Sequence, residues 1–143
     1  MLHEKSCGVI IYCGDKERDY LLLKYDYGHW GFVKGKIEKS EKEKDAAVRE
    51  TQEETGINKG ELSFVPNFKE TISYVYNKAG KTISKQVIFF LAKTQQYHIK
   101  LSYEHKDYAW LPYADAKKKL TFQNSKNLLE KAHKELAENI SSQ

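Results

Sequence analysis

The chain has 143 residues, 40% of them hydrophobic and 31% charged, with a formal net charge of +4. That length suits one domain, 1–143, able to bury a proper core. A mean hydropathy of −0.73, with no run near the roughly 18 apolar residues of a membrane span, excludes a helical integral membrane protein.

The first residues, Met1-Leu2-His3-Glu4-Lys5, lack an apolar signal region, so a cytoplasmic protein is expected. A strand is predicted over 5–13. Its cysteines, Cys7 and Cys13, share one strand face, and six strand residues span about 20 Å, too far for a disulfide. Both read as small core residues in a reducing compartment. A turn at Gly14–Arg18 leads into a strand over Tyr20–Tyr25, and a short extended piece follows at Trp30–Val33.

A helix is predicted next, over 41–55. Ser40 and Glu43 have the S-x-x-E spacing of a capping box at its start, and Gly56 suits a left-handed residue at its end. Glu50, Glu53 and Glu54 project from one helical face, within about 100° of arc at 3.6 residues per turn. Like charges so close destabilise an isolated helix by roughly 0.2–0.5 kcal/mol per pair. Two readings follow: a solvated acidic face, or a face neutralised by a divalent cation. The cation would be a hard, oxygen-loving ion such as Mg²⁺ or Mn²⁺, held by a few carboxylates and otherwise by water and phosphate.

Beyond the helix a strand is expected over about 62–77, turning near Asn77–Lys81 into a partner strand over Ser84–Lys93. The tyrosine, β-branched and phenylalanine content of the pair is that of a hairpin. A short strand at Tyr108–Leu111 leads through Pro112 into a helix at 113–119. The last helix, about 125–139, repeats Leu128, Ala132 and Leu136 with Leu129 and Ile140 beside them, giving one buried stripe. Strands with helices on both sides imply an α/β sandwich. Basic residues gather at 34–44, 78–85 and Lys117–Lys119, which suits either a nucleic-acid binder or a basic mouth around an acidic site that handles polyphosphate.

Gly35, then five residues, Glu41, then seven residues, then Arg49-Glu50-Thr51-Gln52-Glu53-Glu54-Thr55-Gly56-Ile57 resembles the Nudix box of magnesium-dependent hydrolases. The likeness continues through Gly28–Gly35, Ser73-Tyr74-Val75, Lys85–Ala92 and Leu101–Leu111, where the chain is similar to the asymmetrical diadenosine tetraphosphate hydrolases within that family. The resemblance implies an α/β/α sandwich with a mixed central sheet. It implies a metal site in which Glu50 and Glu54 are the main ligands and Glu53 is a further ligand or the base. Arg49 would hold a carboxylate in place through its planar fork, Gly35 would permit a tight loop, and Glu41 would support from outside. Glu104 would be an extra ligand or base from a loop. His29, Lys34 and Lys85 would contact phosphates. Tyr74 would stack on an adenine with Tyr76 assisting, and His105 would face phosphate or solvent.

The implied reaction cuts a dinucleoside polyphosphate, giving AMP and ATP from diadenosine tetraphosphate, in a monomer. Nucleic acid would enter only as a capped or triphosphorylated RNA 5′ end. The chain departs from the family at Val33, Lys36 and Lys39-Ser40, in the loop approaching the phosphates. Glu135 stands where some members place a second aromatic platform, so one-sided stacking on Tyr74 is expected.

Overall fold

The apolar run at the start of the chain forms β1 (Leu2–Cys13), buried without interruption from Ser6 onward because both faces of the strand are covered. The computed structural model describes residues 1–141. After β1 come β2 (Asp19–Tyr25), β3 (Trp30–Gly31), β4 (Val33–Lys36), α1 (Glu43–Thr55), β5 (Ser63–Phe64), β6 (Glu70–Lys78), β7 (Lys81–Lys93), β8 (His105–Pro112), α2 (Tyr113–Lys119) and α3 (Gln123–Ser141). The strands form one mixed sheet, with β1 and β7 parallel at its centre and the remaining pairings antiparallel.

Side-chain alternation divides the core into two layers. Cys7, Val9 and Ile11, with Leu21, Leu23, Ile88 and Ala92, meet Ala46 and Ala47 of α1 on one face. On the other, Ile10, Leu22, Val87, Phe89 and Leu91 meet Leu128, Leu129, Ala132 and Leu136 of α3. The α/β sandwich expected from the sequence is therefore the observed fold. Cys7 and Cys13 are buried and unpaired, and the side chain of Ile140 lies outside the described residues.

Three local expectations are corrected. The helix begins at Glu43 with Lys42 as its N-cap, and no side-chain capping bond forms. Ser40 instead adopts a positive φ of 67°, and Glu43 pairs with Lys5 at 2.5 Å and Lys69 at 2.6 Å. Both halves of the proposed box are thus used elsewhere. The single strand expected over 62–77 is two strands, broken where Pro66 lacks a donor and Asn67 takes a φ of 67°. A capping box does occur, at Asn58 and Glu61 of a short 3₁₀ turn that the sequence reading left unassigned. The β6–β7 turn is tighter than the Asn77–Lys81 span. Ala79 and Gly80 alone link Lys78 to Lys81, with φ of 52° and 76° as two-residue hairpins require.

On one side β1 runs along β7 for nearly its whole length. On the other it pairs with β4 over Ser6–Val9 but with β2 only at Tyr12 and Cys13, so β2 splays away from β1. Gly8 makes the β4 pairing possible: a Cβ there would lie 2.1 Å from the Val33 carbonyl oxygen and 2.9 Å from the Phe89 ring. Gly8→Ala should therefore cost roughly 2 kcal/mol and lower Tm by about 5–10 °C. An unchanged thermal melt would show that β4 does not close on β1 this tightly.

Candidate active site

Alanines at 46 and 47 let α1 lie close on the sheet, and Thr51 and Thr55 satisfy their buried hydroxyls on the Ala47 and Thr51 carbonyls at 2.7 and 2.6 Å. The same inward face continues to Glu54. Gly56 ends the helix with a φ of 78° and donates its N–H to the Gln52 carbonyl, as expected. The three carboxylates of this helix differ sharply in exposure: the Glu54, Glu50 and Glu53 side chains are 5%, 14% and 57% exposed.

Arg49 organises the outer two. Its Nε donates to Glu41 at 2.8 Å, and one terminal nitrogen reaches both Glu41 at 3.1 Å and the Lys36 carbonyl at 2.9 Å. The other reaches Glu50 at 2.8 Å and Glu53 at 3.3 Å. These bonds, that to Glu41 first, hold the guanidinium pKa above its ordinary value. Arg49 in turn holds Glu41 below the usual carboxylate range. Burial pushes Glu50 up, against the pull of Arg49. Gly35 in β4 lies directly beneath it: a Cβ there would fall 2.0 Å from the Glu50 carboxyl carbon.

Glu54 has no such cation. Burial, then the nearby charges of Glu50 and Glu104, raise its pKa to about 9, while the Lys34 backbone N–H pulls the other way. Its Oε2 is buried without a hydrogen-bond partner, as is Nε2 of His105. The two side chains approach to 3.6 Å, too far for a hydrogen bond. Burial lowers the His105 pKa, and its Nδ1 lies 3.1 Å from the Ser102 hydroxyl. Of the two alternatives read from the sequence for His105, facing phosphate or solvent, the structure overturns the second: the side chain is buried beside Glu54.

Glu50, Glu53, Glu54 and Glu104 line one polar cleft of about 660 Å³ with Gly35 and Lys36. Among the described residues no three His, Cys, Asp or Glu side chains gather tightly enough to enclose a metal by themselves. The donor set nevertheless fits a divalent ion that keeps waters and phosphate in its shell. All the donors are hard oxygens, Glu54 presents an unpartnered one, and a glycine leaves Glu50 its space.

A second cleft of about 570 Å³ adjoins the first, sharing Tyr25 and Lys34 as common wall. Tyr74, Tyr76, His29 and Lys85 all line it. Ile72, Tyr74 and Tyr76 form the inward face of β6, and Tyr74 sits opposite Lys85 in the β6–β7 register. The Tyr76 hydroxyl donates to Glu4, which also pairs with Lys36 at 2.5 Å. Those bonds, that from Lys36 first, take the Glu4 pKa down to about 2. Burial lowers Lys85, and burial then the Lys85 charge bring Lys34 to about 8.

Two lining residues were missed. Tyr25 stacks on His29 at 4.6 Å and 4°, meets His105 edge-on at 4.6 Å, and donates its hydroxyl to the Phe32 carbonyl at 2.5 Å. Phe122, 5.3 Å from His29, faces the same cleft from the α2–α3 connection. That connection is held by Thr121, whose hydroxyl accepts the Trp30 N–H at 2.8 Å. A second aromatic besides the β6 tyrosines thus lines the cleft, while Glu135 lies in a separate surface depression with Phe68 and Lys131. Neither residue carries a local sequence signal. Tyr25 ends an ordinary strand and Phe122 lies in a connection.

Comparisons agree with this geometry. The NUDIX domain family matches residues 2–132. The asymmetrical bis(5′-nucleosyl)-tetraphosphatase of Sus scrofa is 34% identical over 140 residues, covering 90% of this chain and 92% of that protein. Its Caenorhabditis elegans counterpart is 34% identical over 131 residues, covering 89% and 92%. The crystal structure of a C. elegans Ap4A hydrolase binary complex superimposes with a TM-score of 0.81 at 30% identity, covering 98% of this chain and 99% of that one.

Two outcomes test the site. Glu54 holds a proton in the folded metal-free protein up to about pH 9 but releases it near 4.5 when unfolded. A raised carboxyl pKa stabilises fully below the unfolded value and loses that contribution as pH rises toward the folded one. With a chelator present, Glu54→Gln should therefore melt several degrees above the native protein at pH 8–9, and the gap should shrink below pH 5. A pH-independent gap would contradict the burial of this carboxyl. Gly35→Ala should weaken metal binding at least tenfold, judged by the order of supporting-residue effects, with Tm nearly unchanged because only the end of a side chain must move. Unaltered metal affinity in calorimetry would sink that assignment.

Proposed function

We propose that this chain, which belongs to the Nudix family, hydrolyses dinucleoside polyphosphates, with diadenosine tetraphosphate yielding AMP and ATP as the preferred reaction. The observation that carries this reading is the pair of clefts sharing the Tyr25–Lys34 wall. One is aromatic and basic, the other carboxylate-lined. A flat base and a polyphosphate tail need both, side by side. Similarity to the bis(5′-nucleosyl)-tetraphosphatases over nine-tenths of the chain supports the same substrate class.

Nudix hydrolases work with a divalent metal, and the hard-oxygen donor set favours Mg²⁺ or Mn²⁺ here. Glu50 and Glu54 would hold it, with Glu53 and Glu104 as further ligands or proton acceptor. When bound, such an ion lowers the pKa of water and offsets charge on the attacked phosphate. The protein side chains supply the rest. Arg49 holds Glu50 in place against Glu41 and the Lys36 carbonyl. Lys34 and Lys85 line the path of the phosphates, and His29 donates to a phosphate oxygen. Tyr74 stacks on the base and Tyr76 supports it, opposite Phe122.

The residues lining both clefts come from one chain, which supports a monomer as the working unit and a single catalytic domain. Buried reduced Cys7 and Cys13 suit the cytoplasm.

Product analysis with Mg²⁺ tests the reading. Diadenosine tetraphosphate should give AMP and ATP rapidly while 5′-triphosphorylated RNA stays largely intact. Glu54→Gln should lower kcat by roughly 10²–10⁴, and Tyr74→Ala should raise KM about tenfold. Faster pyrophosphate release from the RNA would transfer the assignment to RNA ends. Full turnover by Glu54→Gln would refute the catalytic carboxylate.

A further inference from the structure

A dinucleoside polyphosphate carries two bases, and the aromatic cleft described above accounts for one. We infer that Tyr103 is the stacking platform for the other, placed across the carboxylate cleft from the first. This rests on the dinucleoside reading above.

Most aromatic side chains near the site are already engaged. Tyr25 stacks on His29, Phe122 leans on His29, and Tyr74 and Tyr76 lie 6.2 Å apart on one strand face. Tyr27 is exposed but belongs to the rim of the first cleft. Tyr103 is different. It is 93% exposed, makes no hydrogen bond or ring contact among the described residues, and lines the carboxylate cleft beside Glu104 without touching the aromatic one.

Its backbone is not free to wander. Residues 102–105 form a β-turn closed by the His105 N–H on the Ser102 carbonyl at 3.2 Å, which places Tyr103 and Glu104 at the two central positions. The turn is pinned to the end of α1: Lys100 N–H donates to the Thr55 carbonyl at 2.9 Å and Ser102 N–H to the Glu54 carbonyl at 3.3 Å. Ile99 is buried in the core beneath, with Leu101 packed against the same cluster. The ring of Tyr103 is thus wet while its Cα is fixed relative to Glu54 and Glu104. A base arriving there finds an aromatic face already positioned, and stacking on it needs little new order in the protein.

The phosphates then have a defined course. They run from the first base past Lys34 and Lys85 and over the carboxylates toward Tyr103.

The experiment is steady-state kinetics with Mg²⁺ on diadenosine tetraphosphate and on adenosine 5′-tetraphosphate, which has the same phosphate chain and one base. Tyr103→Ala should raise KM for diadenosine tetraphosphate roughly tenfold, the order typical of one base–aromatic stack, with kcat held within about twofold. KM for adenosine 5′-tetraphosphate should move less than about twofold, and Tyr103→Trp should restore the dinucleotide KM. Equal KM increases on both substrates, or none on either, would overturn the inference while leaving native dinucleotide turnover, and so the proposed function, standing. If the native protein does not cut diadenosine tetraphosphate at all, both fall together.

Discussion

The fork of Arg49 is the contact on which the site's shape depends. Helix α1 carries three glutamates on one side, an arrangement that repels itself. One guanidinium ties two of them to Glu41 and to the Lys36 carbonyl, joining helix, connecting loop and β4 in a single planar unit. A lysine could neutralise the same charge. It could not donate in two directions at once from a rigid plane, so the end of β4 carrying Gly35 and Lys36 would lose its fixed relation to Glu50. Because the loop is fixed from this side, the helix does without the side-chain cap its sequence suggested. Glu43 is left to pair with Lys5 of β1 and with Lys69.

Opposite electrostatics then divide the two clefts. On the acidic side, burial pushes Glu50 and Glu54 up, helped by the charges of Glu53 and Glu104 at Glu50 and of Glu50 and Glu104 at Glu54. On the basic side, burial pushes Lys34 and Lys85 down, helped by Lys85 at Lys34 and by Lys36 and Lys78 at Lys85, although Glu4 restrains Lys85. Each set is strained by its own company and would be relieved by a ligand of opposite sign. A chain of phosphates relieves the lysines and a divalent ion relieves the carboxylates. A substrate bringing metal-bound phosphates past both sets relieves them together. Lys34, whose Nζ lies 5.5 Å over the Tyr25 ring and whose backbone N–H bonds Glu54, stands at the junction. Buried polar groups left without partners are costly in isolation, and Glu54 Oε2 and His105 Nε2 are two such atoms side by side.

Much of this was legible in the chain before folding. The period of the apolar residues gave the α3 stripe, an apolar stretch gave β1, and residue content gave the β6–β7 hairpin. The spacing of Glu50 and Glu54 put them together at one end of one helix. What sequence spacing could not reveal was depth. Positions 50, 53 and 54 are neighbours on a helical wheel, yet one is buried, one half-covered and one in solvent, because that depends on how α1 tilts over Gly35 and Tyr25. His105 and Phe122 were unreadable for the same reason. Each comes to the site through a distant hydrogen bond, the turn at Ser102 in one case and Thr121 to Trp30 in the other. A local rule also failed where a better partner was available, as at Glu43, which pairs with Lys5 and Lys69.

The hydrogen bond from Ser102 to the Glu54 carbonyl bears on the timing of the chemistry. It makes the Glu104 turn an extension of the helix end rather than an independent lid. A loop free to swing could bring Glu104 into the cleft only after substrate arrived, and ordering it would draw on binding energy. Here that order exists in the folded chain, since Ile99 and Leu101 seat the loop in the same apolar layer that carries Ala46 and Ala47. The carboxylates of α1 and the Glu104 turn are therefore held together in the folded chain itself. The cost appears as the raised pKa of Glu54, set first by its burial and then by the charges of Glu50 and Glu104. Stability given up at the site is offset by the two core layers on either side of β1, where residues are packed for the fold alone.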